Sequence, residues 1–96
     1  MRRVYFDESA SSELQRQIDY LIDANAAKAA AKLDTRVRSY LLRYLADFPK
    51  TGRLVDGAGV WECWIPRTRI IIWYRFTDDE LQIVHVWHTS QDRSTS

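Results

Sequence analysis

Two hydrophobic periods run along the chain, and they change over at Pro49. Ahead of it the period is helical. Leu14, Ile18, Leu21 and Ile22 recur at i, i+4, i+7 and i+8, one apolar stripe of an α-helix. Arg3-Val4-Tyr5-Phe6 precedes that stripe as a short strand, and Asp7-Glu8-Ser9 opens the helix, with Asp7 or Ser9 placed to accept bonds from its free amides. The helix ends near Asp23-Ala24-Asn25, where Asn25 suits a cap or tight turn. "AAKAAAKL" is strongly helix-forming, and Leu33, Val37, Tyr40, Leu41, Tyr44, Leu45 and Phe48 keep the i, i+3, i+4, i+7 spacing until Pro49 stops it. The spacing predicts one second helix from Ala26 to Phe48, about 34 Å long at 1.5 Å per residue. So short a link makes the pair an antiparallel hairpin.

After Pro49 the period falls to two. "KTGRLVDGAG" holds all three glycines and reads as loop, with a short extended piece at Arg53 to Val55. Three strands are predicted: Val60 to Ile65, Arg69 to Phe76 and Leu81 to His88, the last two joined by a turn in "TDDE". With Asp78-Asp79 at the turn, Thr77 faces Glu80 and Arg69 faces His88. Alternation then puts Ile70, Ile72, Tyr74, Phe76, Leu81, Ile83, His85 and Trp87 on the helix-facing side. Arg69, Ile71, Trp73, Arg75, Gln82, Val84, Val86 and His88 point the other way. Trp61 is expected in the core, Trp64 and Trp73 on the far face. The expected organisation is a single domain over 1–96, with the helical hairpin at about 8–48, the sheet at about 53–88 and a loose tail at 89–96.

Charge is balanced, 14 Lys and Arg against 13 Asp and Glu, with both signs mixed in each half. That argues against a protein held to nucleic acid mainly through phosphates, which needs a basic excess or a segregated basic face. A segregated face is not legible from chain order. Cys63 is the sole cysteine, so no internal disulfide forms, and the lack of a signal-like amino terminus fits a reducing cytosol. No apolar run approaches the roughly 18 residues of a bilayer span. Twelve aromatics are many for 96 residues and suit a small sheet core or an interface. His85, expected on the core face with no second histidine beside it, gives no metal site, and no cofactor is expected.

The order strand, helical hairpin and three-stranded antiparallel sheet, with Gly52-Arg53, Glu62, the "YRF" of Tyr74 to Phe76, and His88, resembles the RelE/ParE superfamily of bacterial type II toxins. The resemblance spans Arg3 to Arg93 and implies an α+β fold. Tyr74-Arg75 through Ile83, Val86 and His88, and the near-neutral charge, make the chain similar to the ParE branch, whose members act on DNA gyrase. It implies a cytoplasmic toxin neutralised by a ParD-like antitoxin in a hetero-oligomer, without membrane attachment or specific nucleic-acid binding. Two alternatives stand: a RelE-like ribosome-dependent mRNA endoribonuclease, and a non-toxic interaction module of the same fold.

The nuclease alternative would use Glu62 as base, Arg69 on the scissile phosphate and His88 as acid, with Lys50, Arg53 and Arg67 as further phosphate contacts. The plainer expectation is that Glu62 and Arg69 pair across neighbouring strands and that His88 ends the hairpin. As a binding protein, the chain would contact its target through Arg69, Trp73, Arg75 and His88. Tyr40, Leu42, Tyr44 and Trp64 carry more apolar area than one sheet face can cover, and are the candidates for antitoxin contact.

Overall fold

The computed structural model describes residues 2–90. From residue 91 onward the expected loose tail lies outside the described residues. The elements are β1 (Arg3–Phe6), α1 (Glu8–Asp23), α2 (Ala27–Tyr40), β2 (Arg53–Val55), β3 (Val60–Trp64), β4 (Ile70–Phe76) and β5 (Glu80–His88). The sheet has five strands where three were expected, ordered β1-β5-β4-β3-β2, because both short extended pieces join it. β1 runs parallel to β5, and the remaining neighbours are antiparallel.

The α-helical hairpin covers one sheet face. Leu14, Val37, Leu41 and Leu45 from the helices bury against Ile72, Tyr74, Leu81, Ile83 and Val86. Asn25, at φ 61, takes the left-handed conformation that reverses the chain between the helices. Asp7 stands at the N-cap of α1, but its carboxylate makes no cap bond. Its Oδ1 accepts Gln82 Nε2–H at 2.7 Å instead, fastening the helix start to β5.

The second helix is not one regular α-helix to Phe48. After Tyr40 it widens into a π-turn over Leu41–Leu45, where the Ala46 amide reaches the Leu41 carbonyl at 2.9 Å. Leu41, Leu45 and Ala46 thereby all bury completely, while Leu42 and Tyr44 are turned outward.

The β4–β5 register follows the expected pairing only near the turn. Phe76 faces Leu81, Arg75 faces Gln82 and Tyr74 faces Ile83, but Trp73 faces His85, leaving Val84 as an extra residue. This β-bulge corrects the predicted faces of the end of β5. Val86 and His88 turn toward the helices, and His85 and Trp87 turn away. The cause lies at the neighbouring edge. β1 pairs with β5 only as far as Ile83, and beyond it side chains of α1 replace a strand. Ser9 Oγ–H donates to the Val84 carbonyl at 3.1 Å, and the Glu13 carboxylate accepts the Val86 amide at 3.0 Å.

Trp87 accordingly joins a second cluster on the far face, where Val60, Ile71 and Trp73 are buried under Val55, Ala58 and Val84. Its ring stands 5.6 Å from Trp73 and 4.7 Å from His85, centroid to centroid. Among the described residues its buried Nε1–H meets no acceptor. Trp87→Phe keeps the ring contacts and removes the orphan donor, so its melting curve should shift by the equivalent of less than about 1 kcal/mol.

Tyr74 closes the loop that follows Pro49. Its buried hydroxyl donates to the Pro49 carbonyl at 2.6 Å and accepts the Gly52 amide at 3.2 Å. Burial pushes this phenol up to about 12 from its ordinary 10. Because the folded value lies above the unfolded one, the stabilisation is complete below pH 10 and is lost as pH rises through 12. Melts across pH 9 to 12 should decline, and Tyr74→Phe should make that decline shallower, leaving the part that the buried Tyr40 and Cys63 contribute.

Candidate functional site

The expected trio of Glu62, Arg69 and His88 is not assembled. Glu62 lies opposite Trp73 on β4 and Arg53 on β2, not opposite Arg69. Its Oε2 accepts Trp73 Nε1–H at 2.7 Å, and its Oε1 takes the Arg53 guanidinium at 3.0 Å. The cross-strand pair of Glu62 with Arg69 is therefore replaced by a pair with Arg53. His88 lies opposite Ile70, a core residue of the helix-facing side, whereas Trp73 belongs to the far face. The sheet thus separates the Glu62 carboxylate from the His88 ring. One substrate phosphate could not be served by both.

The four expected target contacts divide in the same way. Trp73 is buried in the far-face cluster, and Arg75 is exposed on that face beside Gln82. Arg69 and His88 instead line a groove of about 540 Å³ on the helix side, with Glu13, Arg16 and Tyr20. His88 Nδ1 accepts the Ser90 amide at 3.1 Å, which places the proton of the neutral ring on Nε2. Arg69 is tied to the end of β5 through its carbonyl, which accepts the Thr89 amide at 2.9 Å.

The four expected antitoxin contacts are exposed or half-buried, and three of them share one surface. Tyr40, Tyr44 and Phe48, spaced by four along the chain, stack as a ladder with successive centroids 5.2 Å apart. Tyr40 reaches the sheet, its hydroxyl 3.7 Å from Cys63 Sγ, and lines a cleft with Gly52, Cys63 and Trp64. Trp64 is 62% exposed, and Leu42 is exposed on the π-turn. Burial raises the titration of both the Tyr40 hydroxyl and the Cys63 thiol, so at neutral pH the two are uncharged, beside the Arg53–Glu62 ion pair that lines the same cleft. β2 reaches only as far as Glu62, so among the described residues no strand pairs with the outer edge of β3 at Trp64, while β4 pairs with its inner edge. Phe48 was legible as part of the stripe, but its 57% exposure was not.

Among the described residues, no group of three His, Cys, Asp or Glu is placed to hold a metal ion. No described helix is long and apolar enough to cross a membrane.

An antiparallel helical hairpin laid on a five-stranded sheet whose outer parallel strand is the amino-terminal one is the fold of RelE/ParE-like toxins. The structure is similar to the chromosomal ParDE toxin-antitoxin system from P. aeruginosa, with a TM-score of 0.76 at 18% identity over 92% of this chain and 96% of that one. It is similar also to a conserved hypothetical protein from Helicobacter pylori, with a TM-score of 0.63 at 16% identity over 95% and 98% of the two chains. The E. coli DinJ-YafQ complex matches with a TM-score of 0.52 at 19% identity over 94% and 96%. No curated protein matches. The family model for the ParE toxin of the type II toxin-antitoxin system, parDE, matches residues 4–93, and the chain belongs to that family.

Proposed function

We propose that this ParE-family chain is a cytoplasmic toxin that inhibits DNA gyrase by binding it, without catalysing a reaction, and that a ParD-like antitoxin neutralises it. The observation that carries the reading is the aromatic surface of half-buried Tyr40 and exposed Tyr44, Phe48 and Trp64, beside the outer edge of β3 that β2 leaves unpaired past Glu62. Such a surface favours a partner that orders on it, adding backbone bonds at the strand edge and apolar side chains over the ladder. Separation of Glu62 from His88 by the sheet argues against the ribonuclease alternative.

Controlled expression in cells, with and without a candidate antitoxin gene, tests the reading. A gyrase inhibitor elicits a DNA-damage response and filamentation, relieved by the partner gene. Translation stopping first would favour the nuclease alternative, and normal growth would favour an inert interaction module. Tyr44→Glu with Trp64→Glu should reduce neutralisation at least tenfold in antitoxin dose, since each puts a charge on a surface that must desolvate.

A further inference from the structure

The bulge in β5 turns Val86 toward the helices and sets it with Ile70 on the floor of the groove of about 540 Å³ between the helical hairpin, the start of β4 and the end of β5. Leu21 and Leu33, half-buried on the two helices, are its apolar walls, and Tyr20, 73% exposed, stands at its mouth. Arg16 and Arg69 line it as well, and among the described residues neither guanidinium makes a hydrogen bond or an ion pair. The one acid of the lining, Glu13, is engaged with β5, where its carboxylate accepts the Val86 amide at 3.0 Å and meets His85 Nδ1 at 3.1 Å. Two guanidiniums without a partner, one engaged carboxylate and apolar walls make a cationic, amphipathic site, and its volume falls in the range of roughly 300–1,000 Å³ typical of small-molecule pockets.

We propose that this groove binds a small organic anion, a flat apolar body carrying one carboxylate or phosphate. The body would bury between Leu21 and Leu33 over Ile70 and Val86, with the exposed Tyr20 ring alongside to stack on it. The anionic head would meet Arg16 and Arg69, whose planar forks match carboxylate or phosphate oxygens in two-point contact. Neither half suffices alone. A bare anion at two exposed guanidiniums competes with water and salt, and a neutral body gains nothing from them. Nucleic acid fits less well, because two arginines offer few phosphate contacts and a sugar-phosphate backbone gains nothing from apolar walls. The site is independent of what the toxin acts on. Its residues come from α1, α2, the entry to β4 and the end of β5, so a bound ligand would join the helices to the sheet where β1 has ended and the Ser9 and Glu13 side chains take its place. Occupancy should therefore stabilise the fold as ligand concentration rises.

The test titrates 1-naphthoate and 1-naphthyl phosphate into the full chain, with neutral 1-naphthol and inorganic phosphate as the separated halves. Binding is followed by the methyl NMR signals of Leu21, Leu33, Ile70 and Val86 and by the melting temperature. At least one joined probe should move those methyl signals, raise the melting temperature, and bind about tenfold or more tightly than either half, and the tighter of the two distinguishes a carboxylate from a phosphate ligand. Arg16→Gln with Arg69→Gln should weaken that probe about tenfold or more, to the level of 1-naphthol. Arg53→Gln, whose guanidinium is paired with Glu62 instead, should leave its affinity unchanged. Each single arginine variant should show part of the loss, which keeps the outcome readable if the double variant does not fold. Neither joined probe moving the methyl signals, or an undiminished affinity in the arginine variants, would overturn the proposal. Equal binding of 1-naphthol would overturn it in favour of a merely apolar cavity, and equal binding of inorganic phosphate in favour of a bare anion site. Oligouridine that binds more tightly than either joined probe and is lost in the double variant would overturn it in favour of a nucleic-acid surface.

Discussion

Gly52→Ala should lower the melting temperature by roughly 12–24 °C, from a cost of about 3 kcal/mol at 4–8 °C per kcal/mol for a chain of this size. The reason is space, not backbone freedom, because Gly52 has an ordinary extended conformation. A Cβ there would lie 2.3 Å from the Glu62 carbonyl oxygen and 2.5 Å from the Tyr74 hydroxyl. The first atom belongs to the β3 backbone and is held by the sheet. The second is fixed by its bonds to Pro49 and to Gly52 itself. Relief therefore requires β2 to separate from β3 or Tyr74 to leave a fully buried site, and each loses hydrogen bonds as well as packing. Calorimetry of the two proteins at equal concentration measures the effect. A shift under about 3 °C would mean that the loop after Pro49 moves freely from the sheet.

Val86→Asp should leave no cooperative transition, while Trp87→Ala should remain folded with a loss of about 1–3 kcal/mol. Val86 is 1% exposed in the main core, where a carboxylate would be taken out of water at a cost of several kcal/mol against a total stability of order 10. Trp87 only borders the far-face cluster, and its indole nitrogen gives up no hydrogen bond on removal. Urea titrations of the two variants separate these outcomes. An unfolded Trp87→Ala beside a folded Val86→Asp would mean that the bulge at Val84 is absent and that both residues have exchanged faces.

That bulge marks where the sequence stopped being readable. The helix stripes and the β4–β5 turn follow from local periodicity, and Leu14, Val37, Leu41, Ile72, Tyr74, Leu81 and Ile83 are core residues as their spacing requires. A strict alternation carried past Ile83 fails because the partner along the outer edge changes from a strand to the side chains of Ser9 and Glu13, more than seventy residues away in sequence. Local pattern holds no record of such a contact. The π-turn was hidden for a related reason, since Leu41, Leu42, Tyr44 and Leu45 fit a regular helix on spacing alone. Of the candidate site residues, Tyr40, Tyr44 and Trp64 came together because their exposure follows from the surplus of apolar positions. Glu62, Arg69 and His88 did not, because the bulge turns His88 toward the helices and the β3–β4 register sets Glu62 opposite Trp73, not Arg69. Arg16 and Tyr20 lay outside every motif, and only the packing of α1 over the end of β5 puts them beside His88.

The central claim, a toxin that acts by binding gyrase and cuts no RNA, meets its most direct test in purified components. Gyrase and supercoiled plasmid, titrated with the toxin released from its antitoxin, should lose supercoiling activity or accumulate cleaved DNA. The same toxin preparation should leave a ribosome-bound message intact, and added antitoxin should restore gyrase activity. Unaffected gyrase beside codon-positioned cuts in the message that vanish in Glu62→Ala or His88→Ala would contradict the account.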